Sequence, residues 1–147
     1  MSEQDVVASG ETDLRKLLAG LTCARAPETY VFITTSIEVD EAALAPIMRF
    51  VEDEGTTYIA TLSAAEAQSL AYTFPCTRIT LDVHSALEAV GFLAHIATRL
   101  AQAGMGVNPV AGYFHDHLFV PEDRADDAVR ILEDVQREAA GSGSTKG

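Results

Sequence analysis

An α+β fold is predicted, with two related halves built on antiparallel sheet and helices on one side. Three observations support it. Short runs rich in β-branched and aromatic residues recur at 30–35, 57–62 and 78–83, the signal of strands. Twice such a run leads into Ser-x-x-Glu and then an apolar stretch, in TLSAAEAQSL and DVHSALEAVG, a weak internal repeat. The length of 147 residues, 48% hydrophobic and 22% charged, suits one compact domain or two very small ones sharing a core.

Taken in order, residues 1–11 read as a tail. Thr12 is placed to cap a short helix with Leu14, Leu17 and Leu18 on one side and Gly20 at its end. Residues 21–26 form a brief strand, followed by a turn at Pro27-Glu28. Residues 30–35 form a strand buried on both faces. Residues 40–45 make a short helix or turn that Pro46 breaks. Residues 47–52 and 57–62 pair as a hairpin with Asp53-Glu54-Gly55-Thr56 at its tip. Ser63-Ala64-Ala65-Glu66 is a capping box for a helix that Phe74-Pro75 ends.

The second half is read most clearly. Ile79, Leu81 and Val83 alternate with Thr80, Asp82 and His84 as in a half-buried strand. Ser85-Ala86-Leu87-Glu88 is a second capping box, with Glu88 engaged in its own cap. The helix it opens has an apolar face of Ala89, Phe92, Leu93, Ile96, Ala97, Leu100 and Ala103, and Gly104 stops it. Residues 107–114 form a strand, His115-Asp116 turn the chain, and 117–120 return. A last helix starts at Pro121-Glu122-Asp123 and buries Ala125, Ala128, Val129, Leu132 and Val135. Residues 140–147 are a tail. Each half is then one strand short of a ferredoxin-like β-α-β-β-α-β unit. Exchange fills the gap, for example with residues 21–26 pairing in the other half.

Composition excludes several functions. The net charge of −12, from 22 acidic and 10 basic residues, opposes binding to nucleic acid or to anionic membranes. No apolar run spans a bilayer, and the polar, acidic N-terminus is no signal peptide. Two distant cysteines, Cys23 and Cys76, fit reduced thiols in a cytoplasmic protein.

The strand–helix junction at 83–91 is the candidate binding site, because a helix N-terminus offers free amides and partial positive charge to a carboxylate or phosphate. Gly91, on the non-core face with Glu88 and His95, marks close packing there, by another helix of the protein or by a ligand. The triplet His115-Asp116-His117, with His84 and His95, has the H-x-H pattern of metal sites. It lacks a third ligand at standard spacing, so no metal or cofactor is predicted. Ser85 serves better as a cap than as a nucleophile, and Asp53-Glu54 as a solvated tip, so no enzyme is predicted.

The stretch ITLDVHSALEAVGFLAHIATRLAQAGMGVNPVAGYFHDHLFVP resembles the ACT domain, and FVEDEGTTYIA in the first half fits the same resemblance. The similarity is to a bacterial branch of small proteins with two ACT-like halves. In layout it extends to the ACT segments of cytosolic arginine sensors. It implies an N-terminal ACT-like half at 12–76 and a C-terminal ACT domain at 77–139. It also implies a regulatory module that binds a small molecule, an amino acid being the expected class, at a domain or subunit interface. A homodimer is implied too. The contacts carry over to His84, Ser85, Ala86, Leu87, Glu88, Ala89, Val90 and Gly91, facing residues 105–108 from Met105 to Asn108. Asn108 either shapes the strand entry or faces the ligand. Glu54, Asp116 or carbonyls near Asn108 are the candidate acceptors for a ligand ammonium. The alternatives are an assembly module without a ligand and, third, a metal-dependent enzyme built on the histidines.

Overall fold

The structure is a computed structural model that describes residues 13–142. Six strands form a single antiparallel sheet in the order β2-β3-β1-β4-β6-β5. The first helix, α1 (Leu14–Ala19), is capped by Asp13, whose carboxylate accepts from the Lys16 amide at 3.1 Å. The expected cap Thr12 lies outside the described residues.

Strand β1 (Cys23–Thr35) corrects the first expectation of two strands and a turn. It is continuous for 13 residues, and Pro27-Glu28 sits where its pairing with β4 slips register, between Arg25 and Thr29. A bulge tolerates a proline because no ladder hydrogen bond is asked of it. Helix α2 (Glu41–Leu44), capped by Asp40, follows as expected, and β2 (Met48–Glu52) pairs with β3 (Gly55–Thr61) in a tighter hairpin than expected, since Gly55 and Thr56 pair with Glu52 and Val51 and leave Asp53-Glu54 as the tip. Helix α3 (Leu62–Ala67) begins earlier than the Ser63 box: Thr61 caps it, accepting from the Ala64 amide. It ends at Ala67, so Phe74-Pro75 do not terminate it but lie inside strand β4 (Thr73–Leu81).

The central pair explains how two strand-poor halves are completed. Strand β1 meets β4 from Cys23↔Leu81 at one end to Phe32↔Thr73 at the other. The first half uses Tyr30 to Thr35 of β1 with β2, β3, α2 and α3, and takes the start of β4 as its fourth strand. The second half runs from the end of β4 through α4 (Phe92–Gln102), β5 (Asn108–Ala111), β6 (Asp116–Pro121) and α5 (Ala125–Ser142). Its fourth strand is Cys23 to Arg25 of β1. Each half therefore borrows an edge from the other, as the exchange of residues 21–26 anticipated. A short 3₁₀ turn (Glu122–Arg124) precedes α5, which continues through Gly141 and Ser142, within the expected tail.

The apolar positions sort onto the two faces by strand alternation. Ile79 and Leu81 of β4 and Leu118 and Val120 of β6 bury against Ile96, Leu100, Leu132 and Val135 of α4 and α5, with Leu17 and Leu18 of α1. On the same face Val31, Ile33 and Ala60 pack under α2 and α3 through Leu44 and Ala65. Tyr30, Ile59, Cys76 and Phe119 are buried together on the other face, Tyr30 meeting Phe119 edge-on at 6.1 Å. Burial pushes the Cys76 thiol up to about 12, so it stays protonated and inert. Both cysteines are free. The sheet's two outer strands differ: β2 carries exposed Phe50 and Val51, whereas β5 is four residues long and contains Pro109.

Candidate functional site

Between β4 and α4 the chain departs from the predicted strand–cap–helix pattern. Residues 82–91 are a loop. The Asp82 amide donates to the Thr22 carbonyl at 2.7 Å, and the Ala89 amide to the Ala86 carbonyl at 2.9 Å, closing a turn. Ser85 and Glu88 form no capping box. Glu88 is exposed, and the buried Ser85 turns its hydroxyl to Asp116, donating to Oδ2 at 3.3 Å.

Gly91 itself is the N-cap of α4, at φ +90°, with no side-chain cap. A Cβ there would meet Leu14 of α1 at an ordinary 3.5 Å, so the backbone angle requires glycine, while space does not. The left-handed backbone at the helix start, and not close packing by the nearby helix, accounts for the glycine. Gly91→Ala is expected to cost about 1–2 kcal/mol by forcing a Cβ into the left-handed region. Urea unfolding measures this, and an unchanged midpoint would contradict it.

On the opposite wall the hairpin turn also falls elsewhere than expected. It is not at His115-Asp116 but at 112–115, where the Gly112 amide donates to the His115 carbonyl at 2.9 Å. Asp116 is then the first residue of β6 and points toward the loop, while Tyr113 and Phe114 are half-exposed at the tip. The His84 ring lies against both aromatics, 5.2 Å from Phe114 and 6.4 Å from Tyr113.

These two walls enclose a cavity of about 150 Å³. Ser85, Ala86, Leu87 and Ala89 line one side, Phe92 and Leu93 the floor, and Ala111, Gly112 and Asp116 the other side. The first amides of an 11-residue helix have no intrahelical partners and carry its positive end. Across from them, burial raises the Asp116 pKa. The Ser85 hydrogen bond and the neighbouring His117 and His115 act the other way. His117 is held below the ordinary imidazole range by burial and by Arg78 and His115, and its Nδ1 is 2.9 Å from the Thr80 hydroxyl.

Of the residues anticipated at a site, the fold brings Ser85, Ala86, Leu87, Ala89 and Asp116 to this cavity. His84 stacks beside it, and Glu88 and Val90 are exposed on the loop. Met105 is buried in the main core, and Asn108 is exposed on β5 opposite Phe119; neither lines the cavity. Glu54 is in the other half, at the rim of an open groove of about 500 Å³ with Glu38, Glu41, Glu52, Asp53 and Arg49. That groove is larger, but α2 beside it has only four residues, and the Arg49 guanidinium is already paired with Glu41, which also accepts from the Tyr58 hydroxyl at 2.8 Å. Phe92, Leu93, Ala111 and Gly112 were not anticipated. Gly112, a turn former after a short strand, was the available signal. His115 faces Asp82 at 3.6 Å and His117 bonds Thr80, and among the described residues no group of three or more His, Cys, Asp or Glu is set to hold a metal ion. Among the described residues no helix is long and apolar enough to cross a membrane.

Comparison with known proteins agrees with this architecture. Two family models, both described as ACT domain, match residues 9–77 and 74–134 and overlap within the shared strand β4. A Vibrio cholerae protein of unknown function, described as a possible transport protein, is 37% identical, with 84% of this chain and 95% of that one aligned at a TM-score of 0.76. An Agrobacterium tumefaciens protein shares the fold at 16% identity, 74% and 84% coverage and a TM-score of 0.64. The ligand-free regulatory subunit of aspartate kinase from Thermus thermophilus shares it at 11% identity, 77% and 95% coverage and a TM-score of 0.56. A search of curated proteins gives no match. The chain belongs to the ACT domain family and carries two ACT-type domains in tandem.

Proposed function

We propose that the protein is a regulatory module that binds a small α-amino acid in the cavity between the 82–91 loop and the β5–β6 hairpin. One observation carries this reading: the same small cavity is lined by Phe92 and Leu93, the first two residues of α4, whose amides have no intrahelical partner, and by the half-buried Asp116. An α-amino acid has the matching poles. Its carboxylate goes to the amides of Phe92 and Leu93, and its ammonium to Asp116. At about 150 Å³ the cavity is well below the roughly 300–1,000 Å³ of sites for larger ligands, which favours side chains the size of glycine, alanine or serine. The apolar walls Ala86, Leu87, Ala89 and Ala111 offer a charged side chain no partner. Family membership supports the regulatory role, since ACT domains serve as ligand-binding modules and not as catalysts.

A thermal-shift series over the amino acids tests the proposal. A ligand at about 100 times its Kd adds about 2.7 kcal/mol, a rise of several degrees in Tm. Small amino acids are expected to give it, and lysine, arginine and tryptophan are not. No shift with any amino acid would overturn the proposal.

A further inference from the structure

The hairpin turn beside the cavity is tied to the facing loop through groups whose charge depends on pH. The backbone of Asp82 is held at the exit of β4 by its amide, which donates to the Thr22 carbonyl. His115 reaches it from the turn, Nε2 to Oδ1 at 3.6 Å. The turn itself is closed by the Gly112–His115 hydrogen bond, and its tip exposes Tyr113 and Phe114 over the His84 ring. A Cβ on Gly112 would come within 3.0 Å of the His115 carbonyl and 3.4 Å of the His117 ring, so the turn fits closely in this one arrangement. The same two segments are the walls of the cavity.

We infer that the Tyr113–Phe114 turn is a proton-sensitive latch on this cavity, fastened when His115 is protonated and pairs with Asp82. Two carboxylates lie on the His115 side of the turn. Asp82 comes from the exit of β4, and Asp116 at the start of β6 adds a second carboxylate. The His117 ring, 6.4 Å away, has its pKa lowered by burial and by Arg78, and its Nδ1 lies 2.9 Å from the Thr80 hydroxyl. His84, from the loop, contributes its stacking on the two aromatics. Imidazole charge changes between pH 5 and 8, so acidification fastens the turn and alkaline pH frees it. Only the effect on binding rests on the amino-acid reading of the cavity; the latch is a property of the free protein.

Hydrogen exchange on the full chain tests it, with protection factors corrected for intrinsic rates. The pair is exposed, His115 by 38% and Asp82 by 65%. Turn and loop amides are therefore expected to gain about two- to five-fold in protection from pH 8 to pH 6, the range of an exposed ion pair. Amides of β6 beyond His117 are expected to stay unchanged. Asp82→Asn and His115→Gln should remove the gain, and His115→Lys should keep the turn protected at both pH values. A gain that survives in both neutral variants, or no gain in the wild type, would overturn the latch. If either variant loosens the β6 amides as well, His115→Lys decides alone. In the same proteins, the affinity for glycine, alanine and serine should tighten with acid in the wild type only. No binding by any of the three fails the cavity reading and leaves the exchange result to decide the latch.

Discussion

On the proposed amino-acid reading of the cavity, Asp116→Asn is expected to lower affinity for glycine, alanine or serine by about 10- to 100-fold, the loss of a charge-assisted hydrogen bond worth about 1.5–3 kcal/mol. The same change should raise the Tm of the free protein. Asparagine keeps an acceptor for the Ser85 hydroxyl, which donates to Oδ2 at 3.3 Å in the wild type. It removes a carboxylate whose charge is disfavoured by burial. The sign follows from linkage. A raised folded pKa means that the folded chain holds more protons than the unfolded one just above the ordinary carboxylate range. Stability therefore falls as pH rises through that window, and the deficit persists at neutral pH. The gain in Tm is small, because the carboxyl is only half-buried and solvent screens it. His117 has the opposite signature: its pKa is lowered, so stability is lost as pH falls below the ordinary imidazole range. The asparagine variant should lose the first dependence and keep the second. Calorimetric titration and thermal melts against pH measure both effects. Unchanged affinity in a protein that binds an amino acid would remove Asp116 from the site.

Separating the halves at residue 77 is expected to abolish folding of each. The C-terminal fragment loses Cys23 to Arg25, its borrowed edge, together with Leu17, Leu18 and Leu21 of its own main core. Burial of a leucine is worth about 1.5–3 kcal/mol, so three remove much of a typical net stability of about 5–15 kcal/mol. The N-terminal fragment loses Thr77 onward and leaves the first stretch of β1 without a neighbour. Circular dichroism should show neither fragment melting cooperatively alone and a folded complex on mixing. A cooperative melt from residues 77–147 alone would refute the interdependence. The full chain should unfold in one transition.

The sequence was most legible where a local pattern and the tertiary context agree. Alternation at Ile79 and Leu81 and the 3.6-residue spacing of Phe92, Ile96 and Leu100 predict the faces that are buried. It misled where a local signal competes with a neighbour distant in the chain. The Ser85 and Ser63 boxes are good caps in isolation, but Gly91 sets the start of one helix and Thr61 the start of the other. Tyr113 and Phe114 have high strand propensity and sit in a turn, because Gly112 closes onto His115. Pro27 marks a bulge inside a strand that pairs with residues some fifty positions away. The candidate site was half visible. Ser85 and Asp116 were each singled out, but their contact spans 31 positions and exists only through the β4–β6 register. The small residues Ala111 and Gly112 carry no chemistry of their own to attract notice.

The unequal margins of the sheet have a consequence for behaviour at high concentration. Backbone donors on β5 are few, since the strand is four residues long and Pro109 has none to give; β2 has no such guard. Fibrous growth requires every added copy to present a fresh template on its far side. A second copy docking through β2 would turn its proline-bearing margin outward, where a third would find few backbone donors to pair with. The asymmetry therefore leaves β2 as the margin open to pairing and β5 as the margin that resists it.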